Sequence, residues 1–157
     1  MLMLIAVLVL IAADQITKYL TVTYLKPVST VEIIKNILSF TYVENRGAAF
    51  GILQNSRWLF IIFTVVVIAV LIAYTIKKKI SNKLYKISSA LIIAGGIGNL
   101  IDRIFRGYVV DMIEVTFINY PVFNFADCCV VVGAILFCLY VLIYDGKTEK
   151  TDGNTGI

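Results

Sequence analysis

The sequence predicts an all-α membrane protein with four transmembrane helices and a small β element outside the membrane. Of the 157 residues, 60% are hydrophobic and only 15% are charged, a composition typical of an integral membrane protein. Four apolar segments are each long enough to cross a hydrocarbon core of about 30 Å at about 1.5 Å per residue. The connection between the first two segments contains alternating apolar and polar residues, which is typical of a strand.

The four expected spans occupy residues 2–22, 58–76, 87–105 and 127–144. No basic residue precedes the first span, and polar residues continue it in helical register, so we interpret it as a retained helix and not as a cleaved signal peptide. The segments left between the spans are too short for a second domain. One integral membrane domain is therefore expected over residues 1–157, ending in a disordered, solvated tail at 145–157.

The connection at residues 25–57 is too apolar for a free linker. Apolar and polar residues alternate along 38–42, which predicts a short strand. The glycine-containing run 45–51 predicts a tight turn whose backbone passes close to another part of the chain. We therefore expect a small β platform on the outer membrane face, and an ordinary packed loop is the alternative.

Basic residues are concentrated in the short loop at 77–86, and short cytoplasmic loops of membrane proteins collect Lys and Arg. With this loop in the cytoplasm, an even number of spans places both termini there too. The connections at 25–57 and 106–126 then face outward. The net charge of +4 is explained by this topology, and no nucleic-acid partner is expected. The loop's basic residues are Lys77, Lys78, Lys79, Lys83 and Lys86.

Further polar residues lie on the first and third spans, towards the outer face. Asp14 and Lys18 are four residues apart, so they share one face of a helix as a possible ion pair. On the third span, small residues that permit close helix packing precede a polar group that needs partners. One interpretation is a buried network that only holds the helices in register. The third-span residues are Gly95, Gly96, Gly98, Asn99, Asp102, Arg103 and Arg106.

Asp111 and Asp127 are harder to explain as structural residues, because carboxylates beside a bilayer are costly and these two have few cations at helical spacing. Asn124 is a plausible N-cap, which would place Asp127 in the first turn of the fourth helix, where the helix dipole favours a negative charge. Two carboxylates held close together share one proton, so one pKa rises while the other stays low. Such a pair is the leading candidate for acid and base catalysis. A simple helix-terminal charge is the alternative for Asp127.

The chain contains no histidine, and its three cysteines lie in the fourth span without the spacing of metal ligands. Neither a metal nor another cofactor is therefore expected, and the aspartates would act without one.

Five strings carry a family resemblance when taken together and in order: DQITK (14–18), NRGAAFG (45–51), GGIGNLIDR (95–103), VVDM (109–112) and FNFAD (123–127). They resemble the motif set of the lipoprotein signal peptidase family, also called signal peptidase II. The sequence departs from the family pattern in two places. Met112 stands where the family often has an aromatic residue, and Cys128 and Cys129 follow FNFAD where small hydroxyl residues or alanine are usual.

The resemblance implies an intramembrane aspartyl endopeptidase of the bacterial cytoplasmic membrane, with its active site towards the extracytoplasmic face. It would remove the signal peptide from diacylglyceryl-modified prolipoproteins just before the lipidated cysteine, with membrane lipid as its surroundings. Asp111 and Asp127 match the catalytic pair. The positions that would bind substrate or support the site are Asp14, Lys18, Asn45, Gly47, Asn99, Asp102, Arg103, Asn124 and Ala126.

Two other classes of protein have buried acids in a four-helix membrane domain. A proton-coupled carrier needs an ionisable residue near the midplane that both faces can reach, whereas the acids here are expected towards one outer edge. A non-enzymatic assembly factor with a structural polar core would keep its function when either aspartate is replaced.

Overall fold

The computed structural model describes residues 2–47 and 53–145, and in this part of the chain it contains four α-helices and a three-stranded sheet. The helices are α1 (Leu2–Leu20), α2 (Arg57–Lys78), α3 (Lys83–Phe105) and α4 (Phe125–Tyr140), and the strands are β1 (Thr30–Ile34), β2 (Leu38–Asn45) and β3 (Val109–Val115). The all-α fold with a small β element is confirmed. Most of the run expected to form a tight turn, 48–51, and the tail from 146 lie outside the described residues.

Each of the four helices is long and apolar enough to cross a membrane. α1 continues through a π-helical turn at Thr21–Leu25, so the first candidate span is Met3–Leu25. α4 continues in the same way, and its candidate span is Phe125–Tyr144. α3 begins before residue 87, the expected start, because the side chain of Asn82 accepts hydrogen bonds from the backbone N–H groups of Leu84 and Tyr85 and caps the helix earlier.

α3 lies at the centre of the bundle and packs against the other three helices. Half of the α3 span is buried, whereas only 11–17% of each of the other three spans is buried. The large apolar side chains of those three helices face outward, as expected of helices that contact lipid. The apolar core is formed where Val7 of α1 meets Ala90, Ile93 and Ala94 of α3. Small side chains on α3 thus bring its neighbours close.

The sheet has the order β1-β2-β3 with antiparallel pairing throughout. β2 in the middle pairs with β1 through a short hairpin, whereas β3 comes from the connection between α3 and α4. The sequence predicted a strand only in 25–57. β3 is an unpredicted third strand, because its run VVDMIEV is nearly continuous in apolar residues and interrupted by an aspartate, without the alternation of a half-exposed strand.

A sharp chain reversal joins α3 to β3. The N–H groups of Arg106 and Gly107 both donate to the carbonyl oxygen of Asp102, and Gly107 has φ of +84°. This left-handed conformation suits glycine because it lacks a Cβ atom. The reversal brings β3 back over the end of the bundle where α1 ends and α4 begins, which positions Asp111 beside the first turn of α4.

Candidate active site

Asp127 lies in the first turn of α4 and is held there by the helix cap. The side-chain Oδ1 of Asn124 accepts a hydrogen bond from the Asp127 N–H at 3.0 Å, and Asp127 Oδ2 accepts one from the Asn124 N–H at 3.2 Å. This reciprocal pair is a capping box. It fixes one oxygen of Asp127 and leaves Oδ1 free to face the end of α3.

Two asparagine side chains connect Asp127 to Asp111. Asn124 Nδ2 donates to Asp111 Oδ1 at 2.6 Å and to Asn99 Oδ1 at 3.2 Å. Asn99 Nδ2 in turn donates to Asp127 Oδ1 at 2.7 Å. The structure therefore brings the two aspartates into one hydrogen-bond network, although they belong to different elements. Asp111 is almost fully buried, at 1% exposed, and Asp127 is partly exposed.

The second oxygen of Asp111 faces the end of β2. Asn45 Nδ2 donates to Asp111 Oδ2 at 2.9 Å, and Asn45 Oδ1 accepts from the Gly47 N–H at 3.0 Å. Arg103 Nη2 lies 3.5 Å from the Gly47 carbonyl oxygen, and its guanidinium group also stacks over the ring of Phe60. Asn45, Gly47 and Arg103 thus form one wall beside the aspartates.

A fully buried lysine lies behind the asparagine bridge. Lys18 Nζ is 3.0 Å from Asp14 Oδ2, 3.3 Å from Asp102 Oδ2 and 2.9 Å from Asn99 Oδ1. These three contacts use all three of its N–H donors. Lys18 and its two carboxylate partners are at most 1% exposed. Removing one member of such a buried group leaves an unpaired charge, at a cost of about 3–5 kcal/mol.

The two carboxylate partners of Lys18 each accept a hydrogen bond from the backbone next to one of the paired aspartates. Asp14 Oδ1 accepts a hydrogen bond from the Ala126 N–H at 3.0 Å, immediately before Asp127. Asp102 Oδ2 accepts one from the Val110 N–H at 3.0 Å, immediately before Asp111. The buried ion group therefore fixes the backbone of both segments that carry the pair, and it joins α1 and α3 to β3 and α4.

The environment of Asp111 raises its pKa to about 7. Burial is the largest cause, because it penalises the charged form, and the negative charge of Asp127 is the second. Hydrogen bonds from Asn45 and Asn124 and the charge of Lys18 act in the opposite direction. The pair is thus asymmetric, with Asp111 suited to hold a proton near neutral pH.

All the residues expected at the site lie in this one region, at the end of the bundle covered by the sheet. Sequence reasoning missed two contributors. Gln15 Nε2 donates to Asp14 Oδ2 at 3.0 Å and to the Gly98 carbonyl oxygen at 3.2 Å, and the Val110 N–H binds Asp102. Helical spacing could have suggested Gln15, whereas no sequence signal identifies a backbone donor.

In the described ranges, no three Cys, Asp or Glu side chains are grouped to hold a metal ion.

The helices, the sheet and the shielded aspartate pair define the class to which the chain belongs: multi-pass membrane proteins with an acidic site at one end of the bundle. A family model described as Signal peptidase (SPase) II matches residues 6–143. The chain belongs to the signal peptidase II family, as the resemblance of its motifs indicated.

Similar proteins support the same assignment. The chain is 52% identical over 133 residues to a lipoprotein signal peptidase of Caldanaerobacter subterraneus subsp. tengcongensis, covering 85% of this chain and 90% of the relative. It is 43% identical over 149 residues to the lipoprotein signal peptidase of Clostridioides difficile, covering 95% of this chain and all of the relative.

Two solved structures share the fold, and both are described as a bacterial membrane enzyme studied by the in meso method. One, at 2.3 Å resolution, has a TM-score of 0.83 and 30% identity, covering 99% of this chain and 92% of the other. The other, at 1.9 Å, has a TM-score of 0.81 and 33% identity, covering 90% and 93%. The protein is therefore a membrane peptidase, and neither a carrier nor an assembly factor is favoured.

Proposed function

We propose that this signal peptidase II uses Asp111 and Asp127 as a catalytic pair to remove the signal peptide from diacylglyceryl-modified prolipoproteins. Cleavage would occur just before the lipidated cysteine. The observation that carries the proposal is the asparagine bridge, in which Asn124 and Asn99 join the two carboxylates in one network. The bridge contacts both carboxylates through neutral amide groups and thereby orients them towards each other.

The asymmetry of the pair supports a division of roles. Asp127, in the first turn of α4, accepts hydrogen bonds from the Asn124 N–H and from Asn99 Nδ2, and we assign it the role of general base. Asp111, with its pKa raised to about 7, acts as the general acid. A carboxyl group whose raised pKa keeps it protonated near neutral pH is suited to this role.

The reaction balances with one water and the one shared proton. The oxygen of the water attacks the scissile carbonyl carbon while Asp127 takes a proton from that water. At the same time, Asp111 gives its proton to the carbonyl oxygen. Asp127 then passes its proton to the amide nitrogen of the cysteine as the C–N bond breaks, while Asp111 regains a proton from the tetrahedral intermediate. No metal or other cofactor takes part in this sequence.

The surrounding residues take supporting roles in this proposal. Asn99 and Asn124 orient the pair, and the wall formed by Asn45, Gly47 and Arg103 lies where substrate backbone would pass. Asn45 uses one Nδ2 hydrogen on Asp111 and keeps a second for a substrate carbonyl. The buried group of Asp14, Lys18 and Asp102 fixes the backbone at Ala126 and Val110.

The location of the site fits a lipid-anchored substrate. The lysine cluster lies at the end of α2, in the short loop that follows and at the start of α3, so we place this end of the two helices, with both termini, in the cytoplasm of a bacterium. The aspartates and the sheet then lie at the extracytoplasmic face of the cytoplasmic membrane. A diacylglyceryl group anchored in the outer leaflet presents its cysteine at that depth, with the sheet beside the exported part of the chain.

The direct test is a gel-shift cleavage assay with purified protein in lipid, using one prolipoprotein with and without its diacylglyceryl group. The proposal predicts cleavage of the lipidated form only, with the new N-terminus at the modified cysteine. Equal cleavage of both forms would show that the enzyme does not recognise the diacylglyceryl group. A folded protein that cleaves neither form would contradict the proposed substrate.

A further inference from the structure

The two oxygens of the buried Asp102 carboxylate have very different surroundings. Asp102 Oδ2 accepts the Val110 N–H at 3.0 Å and lies 3.3 Å from Lys18 Nζ. Asp102 Oδ1 is buried and accepts no well-aligned hydrogen bond from the described residues. Among those residues, the cation that reaches it is Arg106, whose Nε lies 3.2 Å away. Because a buried carboxylate oxygen without a partner is costly, this contact offsets a penalty that an exposed ion pair would not face.

The charges of the buried ion group do not balance without Arg106. Asp14 and Asp102 contribute two negative charges and Lys18 contributes one positive charge, and all three side chains are almost fully buried. An excess charge in a buried group is unfavourable unless a partner neutralises it. The Arg106 guanidinium supplies the missing positive charge from the edge of the bundle, where its side chain is 31% exposed.

The two neighbouring cations are committed to other partners. Lys18 directs its three N–H donors to Asp14 Oδ2, Asp102 Oδ2 and Asn99 Oδ1. Arg103 lies close to the Gly47 carbonyl oxygen and stacks over Phe60, so it belongs to the wall beside the aspartate pair. This leaves Arg106 as the cation for Asp102 Oδ1.

Arg106 holds Asp102 at two points. The Arg106 N–H donates to the Asp102 carbonyl oxygen at 2.8 Å, and the Arg106 side chain contacts the Asp102 carboxylate. A positive charge is also favourable here because Arg106 caps the C-terminus of α3. The carboxylate in turn binds the N–H of Val110, the residue directly before Asp111. A rotation of the Asp102 carboxylate would therefore shift the part of β3 that carries Asp111.

We propose that Arg106 is a positioning residue for the catalytic pair and acts through the charge that it places beside Asp102. The inference rests on the proposed function, because it assigns Arg106 to the support of Asp111. Arg106 lies three residues beyond the end of the string GGIGNLIDR (95–103), so the family resemblance does not identify it.

Arg106→Gln removes the charge and Arg106→Lys keeps it. Lys26→Gln is the matched control, because Lys26 Nζ also lies 3.2 Å from a carboxylate, that of Glu44, but this pair is on the surface, with side chains 48% and 30% exposed. The measurement is kcat and KM for one lipidated prolipoprotein, with purified protein in lipid. Thermal unfolding of each variant gives the folded fraction by which kcat is divided.

Arg106→Gln is expected to lower kcat about tenfold with KM nearly unchanged, less than the roughly 100-fold effect of a misplacement of about 1 Å, because Arg106 acts through Asp102. Arg106→Lys should restore kcat to within about threefold of the wild-type value, since its ammonium group keeps the charge without the planar guanidinium. Lys26→Gln should match the wild-type protein. This rescue by a charged side chain distinguishes positioning by charge from a purely structural role.

A wild-type kcat for Arg106→Gln, a loss confined to KM, or equal losses for Arg106→Gln and Arg106→Lys would overturn this role without affecting the proposed function. Arg106→Met replaces Arg106→Gln if the latter does not fold, because it keeps an apolar stem and removes the charge, and the same fall in kcat is expected. If neither uncharged variant folds while Arg106→Lys is active, Arg106 serves stability alone and the proposal is wrong. Failure of the wild-type protein to cleave would overturn the two together.

Discussion

The amide groups of Asn99 and Asn124 cannot be reversed without loss of hydrogen bonds, because each has charged partners that fix its orientation. Asn99 Oδ1 faces the ammonium group of Lys18, which can only donate, so its Nδ2 must face Asp127. Asn124 Oδ1 accepts the Asp127 N–H, so its Nδ2 must face Asp111. Asn99 thus fixes the orientation of the Asp127 carboxylate, and Asn124 fixes that of the Asp111 carboxylate.

The raised pKa of Asp111 predicts an alkaline limit to activity. Asp111 is protonated below about pH 7 and ionised above it, so a general acid at this position loses its proton as pH rises. We expect kcat/KM to fall above about pH 7, approaching tenfold per pH unit. A profile measured from pH 5 to 9 checks this, and a constant kcat/KM up to pH 9 would exclude Asp111 as the acid.

The two roles of Asn124 can be separated by Asn124→Ser. Serine caps helices about as well as asparagine, but it cannot supply the amide hydrogens that Asn124 gives to Asp111 and Asn99. We expect a loss of stability of about 1–3 kcal/mol from the buried acceptors left unpaired, with kcat of the folded protein lowered about 100-fold, the scale of a small misplacement of catalytic groups. The alkaline limit should also move to higher pH, since this hydrogen bond lowers the pKa of Asp111.

Asn82→Ser is the control, because Asn82 caps α3 in the same way and lies outside the site. Its activity and pH profile should match those of the wild-type protein. If Asn124→Ser behaved like Asn82→Ser, the asparagine bridge would have no role in catalysis.

The elements meet closely because α3 carries glycine where other helices approach. A Cβ atom on Gly95 would lie 2.3 Å from the Ala126 carbonyl oxygen, and one on Gly98 would lie 2.5 Å from Asp14 Oδ2. Both distances are far below van der Waals contact. The glycines therefore allow α1 and α4 to place Asp14 and Ala126 against α3, which the buried ion group requires.

Gly95→Ala and Gly96→Ala test this packing as a matched pair of neighbours. Gly95→Ala should destabilise the protein by about 2 kcal/mol or more, because backbone atoms of α4 must move. A Cβ on Gly96 meets only the side-chain ends of Ile68 and Thr64, at 3.3 and 3.4 Å, so Gly96→Ala should be nearly neutral. Thermal unfolding in detergent measures both, and equal effects would contradict this account of the helix interface.

At the level of elements, the sequence predicted the helices better than the sheet. Long apolar runs are a strong signal, whereas β3 has a buried, non-alternating pattern that a loop with apolar residues can share. Its β-branched run after Gly107 was the available clue. For the site, Asp111, Asp127 and Asn124 could be predicted from residue type and spacing. The contacts of Asp14 with Ala126 and of Asp102 with Val110 could not, because they depend on how distant backbone segments meet.

For the whole molecule, the lysine cluster and the platform are expected on opposite sides of the membrane. Lys35→Cys and Lys79→Cys test this, since Lys35 lies between β1 and β2, Lys79 follows α2, and both are exposed. A membrane-impermeant maleimide applied to intact cells should label Lys35→Cys above the wild-type background but not Lys79→Cys. Permeabilised cells should allow both to react, and labelling of Lys79→Cys alone in intact cells would reverse the proposed orientation.

Asp111 and Asp127 are proposed to perform the cleavage, and single-residue variants of the purified protein test this role. The measurement is turnover of a lipidated prolipoprotein by Asp111→Asn and Asp127→Asn. Glu114→Gln is the control, because it neutralises another carboxylate on the same strand as Asp111. We predict that both aspartate variants accumulate and fold but do not cleave, whereas Glu114→Gln remains active. Retained turnover by either folded aspartate variant would contradict the catalytic pair.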